Sequence, residues 1–147
     1  MSSRVFVNGA LHWEGNRHES KIIVSFDIVD EVFKEVPLLD YKEDEFHIIV
    51  GVLGGCLCVV CGFSSLRVDV WLMKVYGVKD SWTKMFSISH LEVIRSSVCG
   101  FFIRPLCYSK NDEIVLVMDK ALVLYDTNTK GVKIIPSNPD ILDWFKA

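Results

Sequence analysis

A chain of 147 residues, half of them apolar and 24% charged, is long enough to build a core of its own and too apolar to stay disordered. Its formal charge of −3 is spread without a basic run, which argues against a nucleic-acid or anionic-membrane surface. Glycines and charges interrupt every apolar stretch short of the ~20 residues a membrane helix needs, and no apolar segment follows a basic start, so neither a span nor a leader is expected.

The chain opens with Val5-Phe6-Val7 and Ala10-Leu11-His12-Trp13 around Asn8-Gly9, a dipeptide suited to the two positive φ angles of a type I′ hairpin turn. Glu14 to Ser20, EGNRHES, reads as a polar loop. Ile22 to Asp27 is a predicted strand, Ile28 to Glu31 a turn, and Val32 to Val36 an outer strand stopped by Pro37. Tyr41 to His47 is a charged crossing. Gly51, Gly54 and Gly55 bracket the next strand and lead into Cys56 to Cys61; Gly62 to Arg67 is a loop. Val68 to Tyr76, dense in β-branched and aromatic residues, is the strongest strand, and Gly77 to Asp80 turns it back into Ser81 to Ile88. Ser87 to Ser97 reads as an irregular connection with weak helical spacing at Leu91 and Ile94.

Beyond Gly100, Pro105 within an apolar run predicts an edge or bulged strand. Glu113 to Met118 and Ala121 to Asp126 are strands joined by Asp119-Lys120, and Thr127 to Gly131 turns the chain into Val132 to Ile135. In the tail, Ile141, Leu142, Trp144 and Phe145 have the spacing of a docked helical turn.

Three modules, about 5–37, 49–88 and 100–136, therefore repeat one antiparallel pattern. Strands ending in Asp27 and Asp126 are followed alike by a polar turn and a valine- or isoleucine-rich strand ending at proline. Periods of about 40–50 residues suit four-stranded propeller blades. The expected class is all-β, a partial β-propeller, with a sandwich or open barrel as the alternative. Closed propellers need about 4–8 blades, so these modules are expected to be the C-terminal part of a longer domain. Open blade edges and exposed apolar faces would favour self-association or poor solubility.

No residue set forms an active site. Five cysteines, at 56, 58, 61, 99 and 107, lie in apolar strand patterns and read as buried, reduced thiols. In Cys56-x-Cys58-x-x-Cys61 the third thiol falls on the opposite strand face from the first two, which does not suit tetrahedral metal. Gly51-x-x-Gly54-Gly55 lacks the lysine and helix of a phosphate loop. His12, His18, His47 and His90 show no ligand spacing, Ser64-Ser65 and Ser96-Ser97 lack a base, and Asp27 and Asp126 are expected to cap turns. No metal or cofactor is expected. Trp13, Trp71 and Trp82 read as structural aromatics. The candidate partner-binding loops carry Asn16, Arg17 and His18, then Lys42 and Asp44, then Ser65 and Arg67.

The segments VFVNGALHW, IVSFDIVDEVFKEVPL, LGGCLCVVC and VDVWLMKVYGVKDSWTKMFSI together resemble the F-box associated domain of plant F-box proteins, the kelch-like type, from about Val5 to Ile135. The resemblance implies a non-catalytic substrate-recognition domain, working in the cytoplasm or nucleus. An N-terminal F-box would dock on the Skp1-like adaptor of a cullin-based ubiquitin ligase while this domain selects the target protein. No F-box precedes Val5 in this sequence, so adaptor binding is expected only through a segment outside it. A carbohydrate- or small-ligand-binding β module, prompted by the tryptophans, is the alternative, as is a truncated binding protein with no ligase role.

Overall fold

The computed structural model describes residues 4–40, 46–63, 67–88, 104–109, 113–118 and 121–136. Its strands form three four-stranded antiparallel sheets, each taken up by consecutive segments of chain. The first holds β1 (Val5–Val7), β2 (Ala10–Arg17), β3 (Ser20–Asp27) and β4 (Val32–Val36). The second holds β5 (Phe46–Leu53), β6 (Cys56–Phe63), β7 (Arg67–Met73) and β8 (Trp82–Ile88). The third holds β9 (Arg104–Tyr108), β10 (Glu113–Met118), β11 (Ala121–Asp126) and β12 (Val132–Pro136). The predicted helical spacing beyond Ile88, the strand before Arg104 and the tail after Pro136 lie outside the described residues.

Local chemistry sets the turns. Asn8 and Gly9 take φ of 53° and 79°, and Gly54 and Gly55 take 59° and 76°, so both hairpins close in two residues. The predicted polar loop at Glu14 to Ser20 is corrected: β2 and β3 continue through it, with Asn16 opposite Lys21 and Arg17 opposite Ser20, and only His18 and Glu19 turn. Backbone pairing does not need apolar side chains where a hairpin runs out into water. The Asp27 and Asp126 turns are built alike. Asp27 Oδ1 accepts the backbone N–H of Val29 and Asp30, both at 2.9 Å. Asp126 Oδ1 accepts those of Thr129 at 3.1 Å and Asn128 at 2.8 Å, and these bonds hold its carboxyl below the usual range. Glu31 (φ 56°) and Lys130 (φ 62°) then return a backbone N–H to the aspartate's own carbonyl.

The long strand predicted to Tyr76 ends at Met73 instead. Ser81 Oγ donates within reach of the Val75 carbonyl (2.8 Å) and the Val78 carbonyl (2.7 Å), and Gly77 takes φ 81°, so a compact turn satisfies the backbone that a longer ladder would have paired.

Packing is face to face, with the second sheet in the middle. Leu57, Val59 and Cys61 on one face of β6 join Ile23, Val36, Val50, Met73 and Trp82 in one core. Cys58 and Val60 on its other face join Val70, Phe86, Leu116, Val123 and Tyr125 in a second, where the Phe86 and Tyr125 rings stack with centroids 4.2 Å apart. A sheet covered on both sides needs apolar residues at every position, which is why β6 shows no alternation in sequence.

The first strands of successive sheets also pack together. Gly51 lies within β5, where the sequence suggested a turn glycine; a Cβ there would sit 3.3 Å from Pro105 Cγ. At Gly54 a Cβ would sit 3.0 Å from Tyr108 Cε2, so the two strands advance side by side in the same direction. Pro105 occupies edge strand β9, whose pairing with β10 shifts register between Val115 and Leu116. Both are places where a missing N–H is tolerated.

Candidate functional site

The first sheet carries the densest exposed chemistry. Phe6, Leu11, Phe26 and Phe33 are cross-strand partners in one row over all four strands. Trp13, two residues along β2 from Leu11, shares that face. The Trp13 and Phe33 rings meet edge to face with centroids 6.3 Å apart, the Phe26 and Phe33 rings are tilted at 4.7 Å, and the Arg4 guanidinium lies 5.9 Å from the Trp13 ring centre. Phe6 is 58% exposed and Phe33 66%. At the hairpin end of this sheet Asn16, Arg17 and His18 are exposed, and Arg17, on the Trp13 face, is ion-paired with Glu35 on β4.

The other predicted residues fall elsewhere. Lys42, Asp44 and Ser65 lie outside the described residues. Arg67 opens β7 and its Nε donates to Asp69 Oδ1 at 3.1 Å; the same buried carboxylate accepts Ser87 Oγ at 2.6 Å, so Arg67 serves the interior. Trp82 is buried and donates its indole N–H to the Pro37 carbonyl at 2.9 Å, fastening the exit of the first sheet to the second. Lys79 and Asp40 pair across the same junction at 3.0 Å. Trp71 is half-buried, with the Lys84 ammonium 5.8 Å from its ring centre.

Two titratable side chains of β2 point into that junction. His12 is wholly buried; Nδ1 donates to the Ala10 carbonyl at 3.1 Å, which leaves Nε2 to accept the Tyr76 hydroxyl at 2.6 Å. Burial lowers its pKa and raises that of Tyr76. The pair bridges the two sheets, with His12 wholly buried and Tyr76, 36% exposed, at the rim of the junction. Glu14 Oε2 is buried without a hydrogen-bond partner, and burial pushes the carboxyl pKa up.

The described cysteines are not joined in disulfides. Burial, with Cys61 nearby, pushes the Cys58 thiol up to about 12, far from a reactive thiolate. The expectation of uniformly buried thiols is corrected at Cys107, which is exposed, because its face of the third sheet is not covered by another described sheet. Among the described residues no group of three or more histidine, cysteine or acidic side chains could hold a metal. No helix among them is long and apolar enough to cross a membrane.

Sequence reasoning passed over a further set of exposed side chains. Ile28 and Val29 project from the β3–β4 turn and Val75 and Val78 from the β7–β8 turn, with Val29 87% exposed. The signal was present in the turn chemistry: Asp27, Gly77 and Ser81 fix these segments as turns, so aliphatic residues between them must face solvent.

Three successive four-stranded antiparallel sheets, packed face to face with their first strands side by side, define a β-propeller type of protein. The chain belongs to the F-box associated beta propeller domain family, whose model matches residues 1–140. It is 36% identical over 140 residues to the F-box protein CPR1 of Arabidopsis thaliana, covering 89% of this chain and 33% of that protein. It is 37% identical over 144 residues to the F-box protein At3g07870 of the same plant, covering 85% and 34%. With the F-box/kelch-repeat protein At3g23880, also from Arabidopsis thaliana, identity is 33% over 126 residues, covering 84% and 32%. The chain thus spans about a third of the length of these relatives.

Proposed function

We propose that this chain is a non-catalytic protein-recognition domain, selecting the target of a Skp1–cullin–F-box ubiquitin ligase inside the cell. The observation that carries the reading is the set of aliphatic and aromatic side chains held in water on a rigid β scaffold, on a chain whose relatives are F-box proteins. Exposed apolar residues on fixed turns lose little conformational freedom when a partner buries them, which is how recognition loops gain affinity. The target-facing residues proposed are Val29, Val75 and Val78 at the apolar turns, and Asn16, Arg17 and His18 at the β2–β3 hairpin. The adaptor would be held by an F-box elsewhere on a longer polypeptide.

The test is affinity capture from plant extract with that longer polypeptide. A Val29→Asp/Val75→Asp/Val78→Asp variant and an Asn16→Ala/Arg17→Ala/His18→Ala variant should each retain the adaptor, and at least one should lose the target. Target capture unchanged by both variants would overturn the assignment of the surface. Absence of any protein partner beyond the ligase core would overturn target recognition itself.

A further inference from the structure

In each sheet the third strand turns back into the fourth, and the second sheet departs from the other two at that point. Residues 28–31 and 127–131 make short connections, closed at the root by the Asp27 and Asp126 carboxylates. In the second sheet residues 74–81 make a longer connection with no aspartate at its start. It holds Val75 and Val78 in water, 57% and 46% exposed. Its own bonds fix its shape. The Val75 carbonyl accepts the Val78 N–H at 3.1 Å, the Val78 carbonyl accepts the Ser81 N–H at 3.0 Å, and Gly77 brings its N–H to 3.2 Å from Met73 Sδ.

Shape alone does not fix where the turn stands against the body of the protein. Bonds from its side chains across the junction do that. Lys79 Nζ meets Asp40 Oδ1 at 3.0 Å, but both side chains are well exposed and water screens such a pair to little effect. Tyr76 is different. Its hydroxyl donates at 2.6 Å to Nε2 of His12, an imidazole wholly buried in the first sheet and held in that tautomer by Nδ1 donating to the Ala10 carbonyl. Breaking this bond would leave a buried acceptor without a partner. Tyr76 stands directly after Val75 and two residues before Val78, so the anchored ring holds the backbone that carries both.

We propose that Tyr76 and His12 are positioning residues of the target-recognition surface, a latch that holds the 74–81 turn so that Val75 and Val78 meet the target protein in one orientation. This rests on the reading of the chain as a recognition domain and names what fixes one of its surfaces. The two valines touch the partner, and Tyr76 and His12 act through them. A turn free to swing would lose that freedom on binding and weaken the complex; a turn latched to a neighbouring sheet has already lost it. The second sheet is itself packed on both faces, so the turn is held between a firm base and a buried anchor.

Hydrogen-exchange mass spectrometry and quantitative target capture, both with the longer polypeptide, separate the latch from the reading it rests on. Tyr76→Phe removes only the hydroxyl. Exchange in peptides covering Gly77 and Val78 should quicken by about tenfold or more while β6 stays unchanged, because one bond to a buried group is lost and the core is untouched. Target binding should weaken by about two- to tenfold, and that loss should vanish in a Val75→Ala/Val78→Ala background. His12→Gln, whose amide oxygen can accept the same hydroxyl, should bind target better than His12→Leu, which offers no acceptor. Unchanged exchange at Gly77 and Val78, exchange raised equally in β6, a binding loss that persists without the valines, or His12→Gln no better than His12→Leu would each overturn the latch and leave recognition standing. A parent protein that captures no target would overturn the recognition reading itself, and the positioning role with it.

Discussion

Gly51→Ala tests the side-by-side packing of β5 and β9 directly. The glycine has no positive φ to protect, so alanine should gain about 0.4–1 kcal/mol by restricting the unfolded chain. Against that, the added methyl would lie 3.3 Å from Pro105 Cγ and 3.5 Å from Pro105 Cδ. Pro105 is buried, and its ring is fixed to its own backbone on both sides, so it cannot swing away as a longer side chain would. Overpacking of this kind costs about 1–3 kcal/mol, which leaves a net loss of about 1 kcal/mol. For a chain of this size that corresponds to a fall in Tm of about 2–4 °C. The assay is urea denaturation of four proteins: the parent, Gly51→Ala, Pro105→Ala and the double variant. Removing the proline ring should abolish the clash and leave only the gain from restricting the unfolded chain, giving a coupling equal to the overpacking cost, about 1–3 kcal/mol, between the two sites. Gly51→Ala that stabilises the chain, or that costs the same in the Pro105→Ala background, would refute the packing of β5 against β9.

Three further outcomes follow from the same geometry. His12 is held neutral by burial, so the unfolded chain binds the extra proton as pH falls below 6.5; stability should be full above that value and decline below it, by no more than about 1.4 kcal/mol per pH unit, and the His12→Gln variant should lose this slope between pH 6.5 and 5. Trp82→Phe keeps most of the ring but strands the Pro37 carbonyl, costing about 1–3 kcal/mol by denaturant titration, and a neutral result would mean that water replaces the indole N–H. Among the described cysteines, Cys107 should alkylate first with iodoacetamide, while Cys58, with its thiol pushed up to about 12, should react only on unfolding, as read by peptide mass spectrometry.

Sequence by itself determined the local punctuation of this protein. Asn8-Gly9, Asp27 and Asp126 specify their turns through bonds and φ angles made within a few residues, so the C-terminal ends of β1, β3 and β11 could be placed without any tertiary knowledge. Pro105 likewise announced an edge strand, because its missing N–H is a property of one residue. The repetition of these signals was enough to indicate three blades and a family resemblance.

What covers each strand was decided only by tertiary structure. Gly51 looked like a turn residue until β9, more than fifty positions away, placed Pro105 against it. The Glu14 to Ser20 stretch looked like a loop because polarity was read as irregularity; a hairpin projecting past the core needs only backbone partners, and β3 supplies them. Arg67 looked like a surface group, but the Asp69 carboxylate that claims it is buried on the face of the second sheet turned toward the first. Cys107 and Cys58 occupy similar apolar strands, yet a second sheet lies over one and none of the described sheets over the other. Turns are fixed by neighbours along the chain, whereas burial, charge pairing and exposed surface depend on which sheets meet, and that information is spread over the whole length.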